Sequence, residues 1–308
     1  MESMVAIIGF GEAGSTFASA GLGAGTTVAA YDVKTDAPAT RAAKQADYAR
    51  TGVLGRDSAA EALAAADLVL SLVTADQALA AAAAYAPWLP EGALWLDMNS
   101  VAPDTKRAAA AAIDAAGGRY ADVAVMAPVD PAKLAVPLLV SGPHADKAVS
   151  ALTSLGFTHV GSVGDRIGAA SAIKMIRSVM VKGLEALTTE MILAADAAGV
   201  TDEVIASLNA SWSGTDWATK TDYNLDRMMV HGLRRAAEME EVAKTLDALG
   251  TGSAMTRGTI ERQRAIGALG LPPPEGLSAK ISAVTPAKAG VAGDSSREMP
   301  AFAGMTTR

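Results

Sequence analysis

The sequence contains no cysteine, and this absence excludes several kinds of site at once. Disulfide bonds, thiolate nucleophiles and cysteine-ligated metals are all ruled out. Histidine is almost as scarce, because the chain has only His144, His159 and His231, and no two of them are close in sequence. We therefore expect no metal site, and any proton transfer must rely on lysine, tyrosine or a carboxylate.

An excess of positive charge is also missing. The 26 lysines and arginines are outnumbered by 33 acidic residues, which gives a formal net charge of −7. A nucleic-acid surface needs clustered basic side chains, so we expect no nucleic-acid partner. The alanine-rich runs are interrupted before they reach the roughly 18 apolar residues of a membrane span, and no signal-type segment opens the chain. These absences predict a cytoplasmic protein with a small-molecule partner and no membrane partner.

Short apolar runs alternate with helical stretches from the start of the chain to about residue 165. This alternation predicts parallel strands joined by helices, in an α/β fold with a Rossmann-like, doubly wound parallel sheet. The predicted strands are Val5–Ile8, Thr27–Tyr31, Asp67–Val73, Leu94–Met98, Tyr120–Met126, Pro137–Ser141 and Phe157–Val160.

The pattern changes after Gly164, where strand patterns stop. One long helix is predicted over 167–198. Further helical stretches are predicted at 202–211, 232–249 and 254–269. From Pro272 onward the chain lacks periodicity. We therefore predict a Rossmann-like domain at 1–165, an all-helical domain on a long interdomain helix at 166–271, and a disordered tail at 272–308 that adds nothing to stability.

A glycine-rich segment, Gly9-Phe10-Gly11-Glu12-Ala13-Gly14, lies between the first predicted strand and the first predicted helix. In this pattern the first glycine permits a tight turn, the second lets backbone approach a pyrophosphate, and the third lets helix and strand pack closely. Asp32 ends the second predicted strand, at about the spacing expected for a carboxylate that binds a ribose. The sequence therefore predicts a dinucleotide site that favours NAD, although Lys34 and Arg41 leave NADP possible.

Lys174 is the candidate acid–base group. It follows a small-residue turn at 168–171, near the start of the long predicted helix, and such a turn allows close approach to a flat ring or a neighbouring backbone. Arg177 and Ser178 share its helical face. A partly desolvated lysine beside a second cation has a lowered pKa, as a lysine base requires at neutral pH. The alternative is an ordinary solvated lysine.

The order of these motifs resembles the β-hydroxyacid dehydrogenase family, which includes 3-hydroxyisobutyrate and 6-phosphogluconate dehydrogenases. The resemblance covers residues 1 to about 200. It rests on the glycine-rich loop, Tyr31-Asp32-Val33, Ser71-Leu72-Val73-Thr74, Asp97-Met98-Asn99-Ser100-Val101-Ala102-Pro103 and the helix from Gly168 to Lys174. It implies that Lys174 is catalytic and that Asn99, Ser100 and Ser178 orient the substrate or the carboxamide. The implied cofactor-binding residues are Gly9, Phe10, Gly11, Glu12, Ala13, Gly14, Asp32, Val73, Thr74 and Ser100.

Three departures from the family pattern bear on the substrate. In the segment where the family binds a carboxylate, Met126 and Pro128 replace hydrogen-bond donors. The family's asparagine four residues after the catalytic lysine is Ser178 here. Its downstream Lys-Asp pair is Ala237-Glu238. Residues 228–239 resemble the helical domain of an uncharacterised bacterial branch of NAD(P)-dependent oxidoreductases.

The substrate is expected to be a small anionic molecule, and four residues are candidates for contacting it. The candidates are Met126, Arg177, His231 and Arg235. Arg177 could instead pair with an acidic residue, and His231 could instead cap a helix that begins near Gly232. The sequence leaves both alternatives open.

Together these residues predict an NAD(P)-dependent enzyme that transfers a hydride between nicotinamide and a small hydroxy acid or related alcohol, with Lys174 as general acid and base. Two other functions remain open. An imine or enamine reductase on the same scaffold is one, because Met126 and Pro128 remove the carboxylate cradle. An NAD(H)-binding protein without turnover is the other. A small helical domain shields little apolar surface by itself, so we also expect a homodimer through this domain.

Overall fold

The N-terminal part of the molecule is built on one eight-stranded sheet in the computed structural model, which describes residues 4–285. The strands are β1 (Met4–Ile8), β2 (Thr27–Tyr31), β3 (Leu54–Gly55), β4 (Leu68–Ser71), β5 (Leu94–Asp97), β6 (Arg119–Val125), β7 (Leu138–Ser141) and β8 (Val160–Ser162). Their spatial order is β3-β2-β1-β4-β5-β6-β7-β8. This order reverses between β1 and β4, so the predicted doubly wound fold is confirmed.

One strand pair, β6 with β7, is antiparallel, whereas all the others are parallel. The connection between these two strands contains a single short 3₁₀ turn, Lys133–Ala135, and no α-helix. A parallel return requires a longer crossover, usually through a helix. The chain therefore turns back and β7 runs against β6.

Six helices cover the two faces of the sheet. They are α1 (Glu12–Ser19), α2 (Pro38–Thr51), α3 (Ala59–Leu63), α4 (Ala78–Tyr85), α5 (Pro103–Ala115) and α6 (Ala145–Ser154). Successive side chains of a strand point to opposite faces, so Ile7 belongs to one buried apolar cluster and Ile8 to the other. The nearly continuous apolar runs of the sequence reflect this burial on both faces.

The structure differs from the predicted strands at two places. The two-residue β3 carries too short a pattern to be recognised in the sequence. The last strand begins at Val160 rather than at Phe157. The Phe157 ring instead packs edge-on against the Phe17 ring of α1, with 5.0 Å between the ring centroids. An apolar residue can therefore anchor the turn before a strand as well as the strand itself.

Every element from Ala169 to Val284 is a helix. These helices are α7 (Ala169–Ala198), α8 (Thr201–Ser211), α9 (Trp217–Ala248), α10 (Ala254–Gly267) and α11 (Leu277–Val284). The predicted long helix is α7, which packs along α9 around apolar residues such as Met175 and Met239. None of the helices within residues 4–285 combines the length and apolar character needed to cross a membrane.

The prediction that a helix starts near Gly232 is wrong. Gly232 lies in the middle of α9, where this helix crosses α10 at Gly267. A Cβ on Gly232 would lie 2.8 Å from the Gly267 Cα and would collide with the Gln263 carbonyl oxygen. Glycine at this position therefore permits a close helix crossing, and His231 is not a helix cap.

The expected disorder of residues 272–308 is also wrong for the part that the structure describes. Residues 277–284 form α11, and its Ile281 and Val284 are buried in an apolar cluster with residues of α7, α9 and α10. The Lys280 ammonium lies 2.9 Å from both carboxylate oxygens of Asp222 in α9. The apolar contacts and this ion pair offset the conformational entropy that is lost when α11 becomes ordered. The composition of the segment gives no sign of these tertiary contacts. Residues 286–308 lie outside the described part of the chain.

Ile281→Ala should lower the free energy of unfolding by about 2–5 kcal/mol, because it removes a buried aliphatic side chain and leaves a cavity. The control is Ser282→Ala, which changes an exposed residue of the same helix and should alter stability by less than about 0.5 kcal/mol. Urea unfolding measures both values. Equal, small changes in the two variants would show that α11 contributes nothing to the stability of the body.

Candidate active site

The loop between β1 and α1 gives each of its three glycines a separate structural role. Gly9 has a φ of +88°, and a Cβ there would lie 2.7 Å from the carbonyl carbon of Leu72, just after β4. A Cβ on Gly14 would lie 3.0 Å from the Gly9 carbonyl oxygen, so this glycine allows the helix to approach the strand. Gly11 is exposed, and a Cβ there would meet nothing within 4 Å. Bare backbone and the N-terminus of α1 therefore face open space where the strand order reverses.

Asp32 is held against this loop at the carboxyl end of β2. Its Oδ2 accepts a hydrogen bond from the Phe10 N–H at 2.8 Å, and its Oδ1 accepts one from the Lys34 N–H at 2.9 Å. The nearby Lys44 ammonium donates to the Phe10 carbonyl oxygen at 2.6 Å rather than to Asp32. Each carboxylate oxygen can accept a further hydrogen bond from a hydroxyl group, so Asp32 can bind a ribose without giving up its structural contacts.

A row of buried polar side chains crosses four neighbouring strands near this edge of the sheet. Ser71 pairs in register with Asp97, Asp97 with Asp122, and Asp122 with Ser141. All four residues are almost completely buried. Buried carboxylates are stable only with hydrogen-bond donors or a cation, so the partners of Asp97 and Asp122 determine what can lie beside them.

Lys106 of α5 supplies the cation. Its ammonium is fully buried, lies 2.9 Å from Asp97 Oδ1 and 3.3 Å from Asp122 Oδ1, and donates to the Asp97 carbonyl oxygen at 2.6 Å. The Tyr120 hydroxyl donates to Asp97 Oδ2 at 2.7 Å. Burial, assisted by the two carboxylates, raises the pKa of Tyr120 well above its usual value, so the hydroxyl remains a donor. Sequence reasoning missed Lys106, because a helical lysine is usually solvated.

The same carboxylates hold the first turn of α7. Ser171 donates to Asp122 twice, from its hydroxyl to Oδ1 at 2.6 Å and from its N–H to Oδ2 at 3.0 Å. The preceding Gly168 has a φ of +91°, and a Cβ there would lie 2.9 Å from the Cβ of Pro103 in α5. A helix N-terminus beside a carboxylate is also favourable electrostatically. The start of α7 is therefore fixed by buried contacts that also fix its Lys174.

The loop after β5 brings Asn99 and Ser100 to this helix. The Asn99 amide nitrogen donates to Asp97 Oδ1 at 2.7 Å and to Ser71 Oγ at 3.0 Å. Because Asp97 holds the NH₂ group on its side, the buried Asn99 Oδ1 is left without a partner. Lys174 Nζ donates to Ser100 Oγ at 2.5 Å. The predicted catalytic residues Lys174, Ser100 and Asn99 thus lie together, beside an acceptor that is free for a bound molecule.

Burial lowers the pKa of Lys174 from 10.5 to about 8. The Glu238 carboxylate opposes this shift, whereas the positive charges of Lys182, Lys106 and Arg234 add to it. The sequence predicts one further cation near Lys174, and in the structure three cations contribute to the lowered pKa. The amine can lose and regain a proton near neutral pH, as a lysine acid–base group requires.

Ser178, the fourth predicted catalytic residue, lies one helical turn further along α7 and is buried. It accepts a hydrogen bond at 3.4 Å from Lys182 Nζ, which lies 3.5 Å from Glu238 Oε2 of α9. Arg234 donates to the other Glu238 oxygen at 2.6 Å. Sequence reasoning missed Lys182. In the family pattern a lysine precedes this acidic position, whereas here that residue is Ala237. The ammonium paired with Glu238 therefore comes from Lys182 of α7.

The four predicted substrate residues have different surroundings. Arg235 is buried in an ion pair with Glu185, which occupies the guanidinium expected to contact the substrate. Arg177 is exposed and donates a long hydrogen bond, 3.4 Å, to the Met126 carbonyl oxygen. His231 is half-buried, and burial followed by the charges of nearby arginines lowers its pKa. It therefore stays neutral at neutral pH and provides no positive charge for an anion.

Family models match two parts of the chain. The NAD binding domain of 6-phosphogluconate dehydrogenase matches residues 4–164, and a domain of unknown function, DUF1932, matches residues 195–266. The chain is a member of the β-hydroxyacid dehydrogenase family. The resemblance seen in the sequence motifs is thereby confirmed.

Solved structures agree with this assignment to the β-hydroxyacid dehydrogenase family. A conserved hypothetical protein from Sinorhizobium meliloti 1021 is 40% identical, with 92% of this chain and 96% of that one covered and a TM-score of 0.75. The conserved protein MTH1747, of unknown function and described as structurally similar to 3-hydroxyacid dehydrogenases, is 27% identical, with 87% and 99% covered and a TM-score of 0.67.

More distant structures share the fold alone. The 3-hydroxyisobutyrate dehydrogenase of Mycobacterium tuberculosis is 18% identical, with 92% of this chain and 98% of that one covered and a TM-score of 0.71. The imine reductase of Streptomyces aurantiacus is 21% identical, with 92% and 98% covered and a TM-score of 0.55. Family membership makes this protein an NAD(P)-binding dehydrogenase or reductase.

The described residues fit NAD(P), the cofactor of this β-hydroxyacid dehydrogenase. The open space before Gly11 and the N-terminus of α1 suit a pyrophosphate. Asp32 retains acceptor capacity for a ribose, and the orphaned Asn99 Oδ1 suits the N–H of a carboxamide. Hydrogen bonds join the Leu72 N–H to the Ile8 carbonyl oxygen, Asn99 to Ser71, and Lys174 to Ser100. A series of neighbouring residues therefore connects the dinucleotide loop with Lys174.

Lys106→Met should lower the free energy of unfolding by about 3–5 kcal/mol, because it leaves two buried carboxylates without their cation. The control is Lys147→Met, which replaces an exposed lysine of α6 and should change stability by less than about 0.5 kcal/mol. Urea unfolding followed by circular dichroism gives both numbers. A loss below about 1 kcal/mol in Lys106→Met would contradict the role given to this ion cluster.

Proposed function

We propose that this protein oxidises a small hydroxy acid or related alcohol, and reduces the corresponding carbonyl compound, with Lys174 as the general acid and base. The observation that carries the proposal is the contact between Lys174 Nζ and Ser100 Oγ at 2.5 Å, together with the lowering of the Lys174 pKa to about 8. A lysine with this pKa can take a proton from a hydroxyl group and return it near neutral pH.

The side chains divide the reaction between them. When bound, the nicotinamide accepts a hydride from the substrate carbon or donates one to it. Lys174 in its neutral form accepts the hydroxyl proton during oxidation, and in its charged form returns the proton during reduction. Ser100 and Ser178 hold the reacting oxygen beside the amine, while Asn99 orients the carboxamide. The glycine-rich loop, residues 9–14, with Asp32, Val73 and Thr74, holds the rest of the dinucleotide.

Imine or enamine reduction is the second candidate, and the loop after β6 favours it. In that loop the Met126 N–H is already bonded to the Pro137 carbonyl oxygen at 2.9 Å, and Pro128 has no N–H. The likeness in fold to an imine reductase is compatible with it. A panel of hydroxy acids and cyclic imines, followed at the nicotinamide absorbance, separates the two reactions. Absence of turnover with every compound would favour a protein that binds NAD(H) without catalysis.

The helical part is proposed to pair with a second copy of the chain. Ile173, Ile176, Met180 and Leu187 of α7 are exposed and recur at three-, four- and seven-residue intervals, so they form an apolar stripe along the helix. The domain limits near 165 and 271 and the cytoplasmic location stay predictions. Sedimentation equilibrium gives the mass of the particle and so tests the homodimer.

Lys174→Met should reduce kcat by about 10²–10⁴-fold while leaving NADH affinity unchanged, because it removes the proton acceptor and keeps the helix. In the wild type, kcat/KM for oxidation should rise with pH through about 8 as the amine becomes neutral, and the rate of reduction should fall over the same range. Lys174→Arg should also be inactive, because a guanidinium group cannot release its proton.

The control for these measurements is Lys147→Met, which should retain both the activity and the pH profile. Initial rates measured over a range of pH give the pH profiles, and the change in NADH fluorescence on binding gives the affinity. Full activity in Lys174→Met would assign the base to another residue. Loss of NADH binding together with activity would make Lys174 a cofactor ligand.

NADH should bind more tightly than NADPH, because the Asp32 carboxylate is fixed at the carboxyl end of β2 and repels a 2′-phosphate. Asp32→Asn removes the charge with little change of shape, so it should narrow the difference between the two dissociation constants. Glu61→Gln removes an exposed carboxylate on α3 and serves as the control. Fluorescence titration measures all of these constants. Tighter binding of NADPH to the wild type would contradict the role of Asp32.

A further inference from the structure

The Lys182 ammonium is shielded but poorly satisfied by the protein. Its side chain is 12% exposed, and its two polar contacts are long, 3.4 Å to Ser178 Oγ and 3.5 Å to Glu238 Oε2. Charge-assisted hydrogen bonds between an ammonium and an oxygen are typically about 2.7–2.9 Å. Glu238 makes its short contact with Arg234 instead, at 2.6 Å. Lys182 therefore keeps donors available in a mostly closed region between α7 and α9.

The surroundings of Lys182 carry more positive than negative charge. The charges of Glu238, Arg235 and Glu185 act on Lys182. Arg234 shares the Glu238 carboxylate, and Lys174 is close enough for the charge of Lys182 to lower its pKa. When Lys174 is neutral, as a base must be, three cations stand against two carboxylates. A monoanion restores balance in this half-buried cluster, whereas a dianion would exceed it.

Three other groups that could hold an anion are already occupied or uncharged. Arg235 is paired with Glu185, which also accepts a hydrogen bond from Gln263 at 2.7 Å. The Met126 N–H is bonded to a backbone carbonyl, and His231 is held neutral by its surroundings. Arg177 lies on the same helix as Lys174 but is exposed, whereas Lys182 is shielded and has unused donors.

We propose that Lys182 binds the carboxylate of the substrate whose hydroxyl group faces Lys174. Residues four and eight positions apart line one face of a helix, so Lys174, Ser178 and Lys182 follow one another along α7. The carboxylate site is thereby moved from the loop after β6 to this helix. This inference rests on the proposed function, because it takes Lys174 as the end of the site where the reaction occurs.

The test compares two probes on the NADH-loaded protein, 3-hydroxypropionate and its uncharged counterpart 1,3-propanediol. Binding is read from the fluorescence of bound NADH and from the thermal midpoint, so no turnover is needed. The wild type should bind the acid at least about 10-fold more tightly than the diol. Lys182→Met should weaken binding of the acid at least about 10-fold and leave the diol unchanged, Lys182→Arg should recover part of the loss, and Lys147→Met should match the wild type.

Glu238→Gln distinguishes two roles for Lys182: binding of an anion, or only an ion pair that joins α7 to α9. If Lys182 receives a carboxylate, removal of the competing Glu238 charge should tighten binding of 3-hydroxypropionate. If the Lys182–Glu238 pair only joins the helices, Glu238→Gln and Lys182→Met should weaken binding alike, and the proposal is overturned. Unchanged binding of the acid in Lys182→Met, or tighter binding of inorganic phosphate than of the acid, overturns it as well. Lys182→Gln replaces Lys182→Met if the latter fails to bind NADH.

Failure of this inference is distinguishable from failure of the proposed function. If Lys174→Met loses turnover as expected, but binding of 3-hydroxypropionate does not depend on Lys182, the anion site alone is rejected. Acid binding that depends on Lys182, with full turnover in Lys174→Met, would support the anion site and reject Lys174 as the base.

Discussion

The Lys106 ammonium lies between the buried carboxylates of Asp97 and Asp122, where β5 and β6 run side by side. Neither carboxylate could be buried there without that cation and the donors around it. Asp97 orients Asn99 and so places the following residue, Ser100, while Asp122 holds Ser171 and so places α7. In consequence Ser100 and Lys174, which are 74 positions apart in sequence, come within 2.5 Å of each other.

The same arrangement adjusts the chemistry of Lys174. Desolvation makes the largest contribution to its lowered pKa, and the charge of Lys106 acts in the same direction, whereas Glu238 acts against it. The pKa of the amine is therefore a balance between burial, a cation of the sheet layer and a carboxylate of α9. In the proposed mechanism, a chain without cysteine and with three histidines uses a lysine with a lowered pKa as its acid–base group.

Features that depend on local chemistry could be predicted from the sequence. The three glycines of the first loop have distinct requirements of space and φ, and the alternation of apolar runs predicts the sheet. Lys106 and Lys182 could not be predicted, because their partners lie on other elements and a lysine carries no local sign of burial. Gly232 was interpreted as a helix boundary. Glycine is needed there because α9 crosses α10 at Gly267, and this tertiary contact is not visible in the local sequence. The proline-rich segment that begins at Pro272 led to a prediction of disorder, because the order of α11 depends on its packing against α9.

The account as a whole depends on a Lys174 amine that titrates near neutral pH. Trace acetylation with acetic anhydride over a range of pH, followed by mass spectrometry of the peptide that carries Lys174, measures this property without any substrate. The exposed Lys147 provides a reference in the same sample. We predict that the acetylation of Lys174 rises with a midpoint near pH 8. A midpoint near 10.5, the value of an ordinary lysine, would contradict the account.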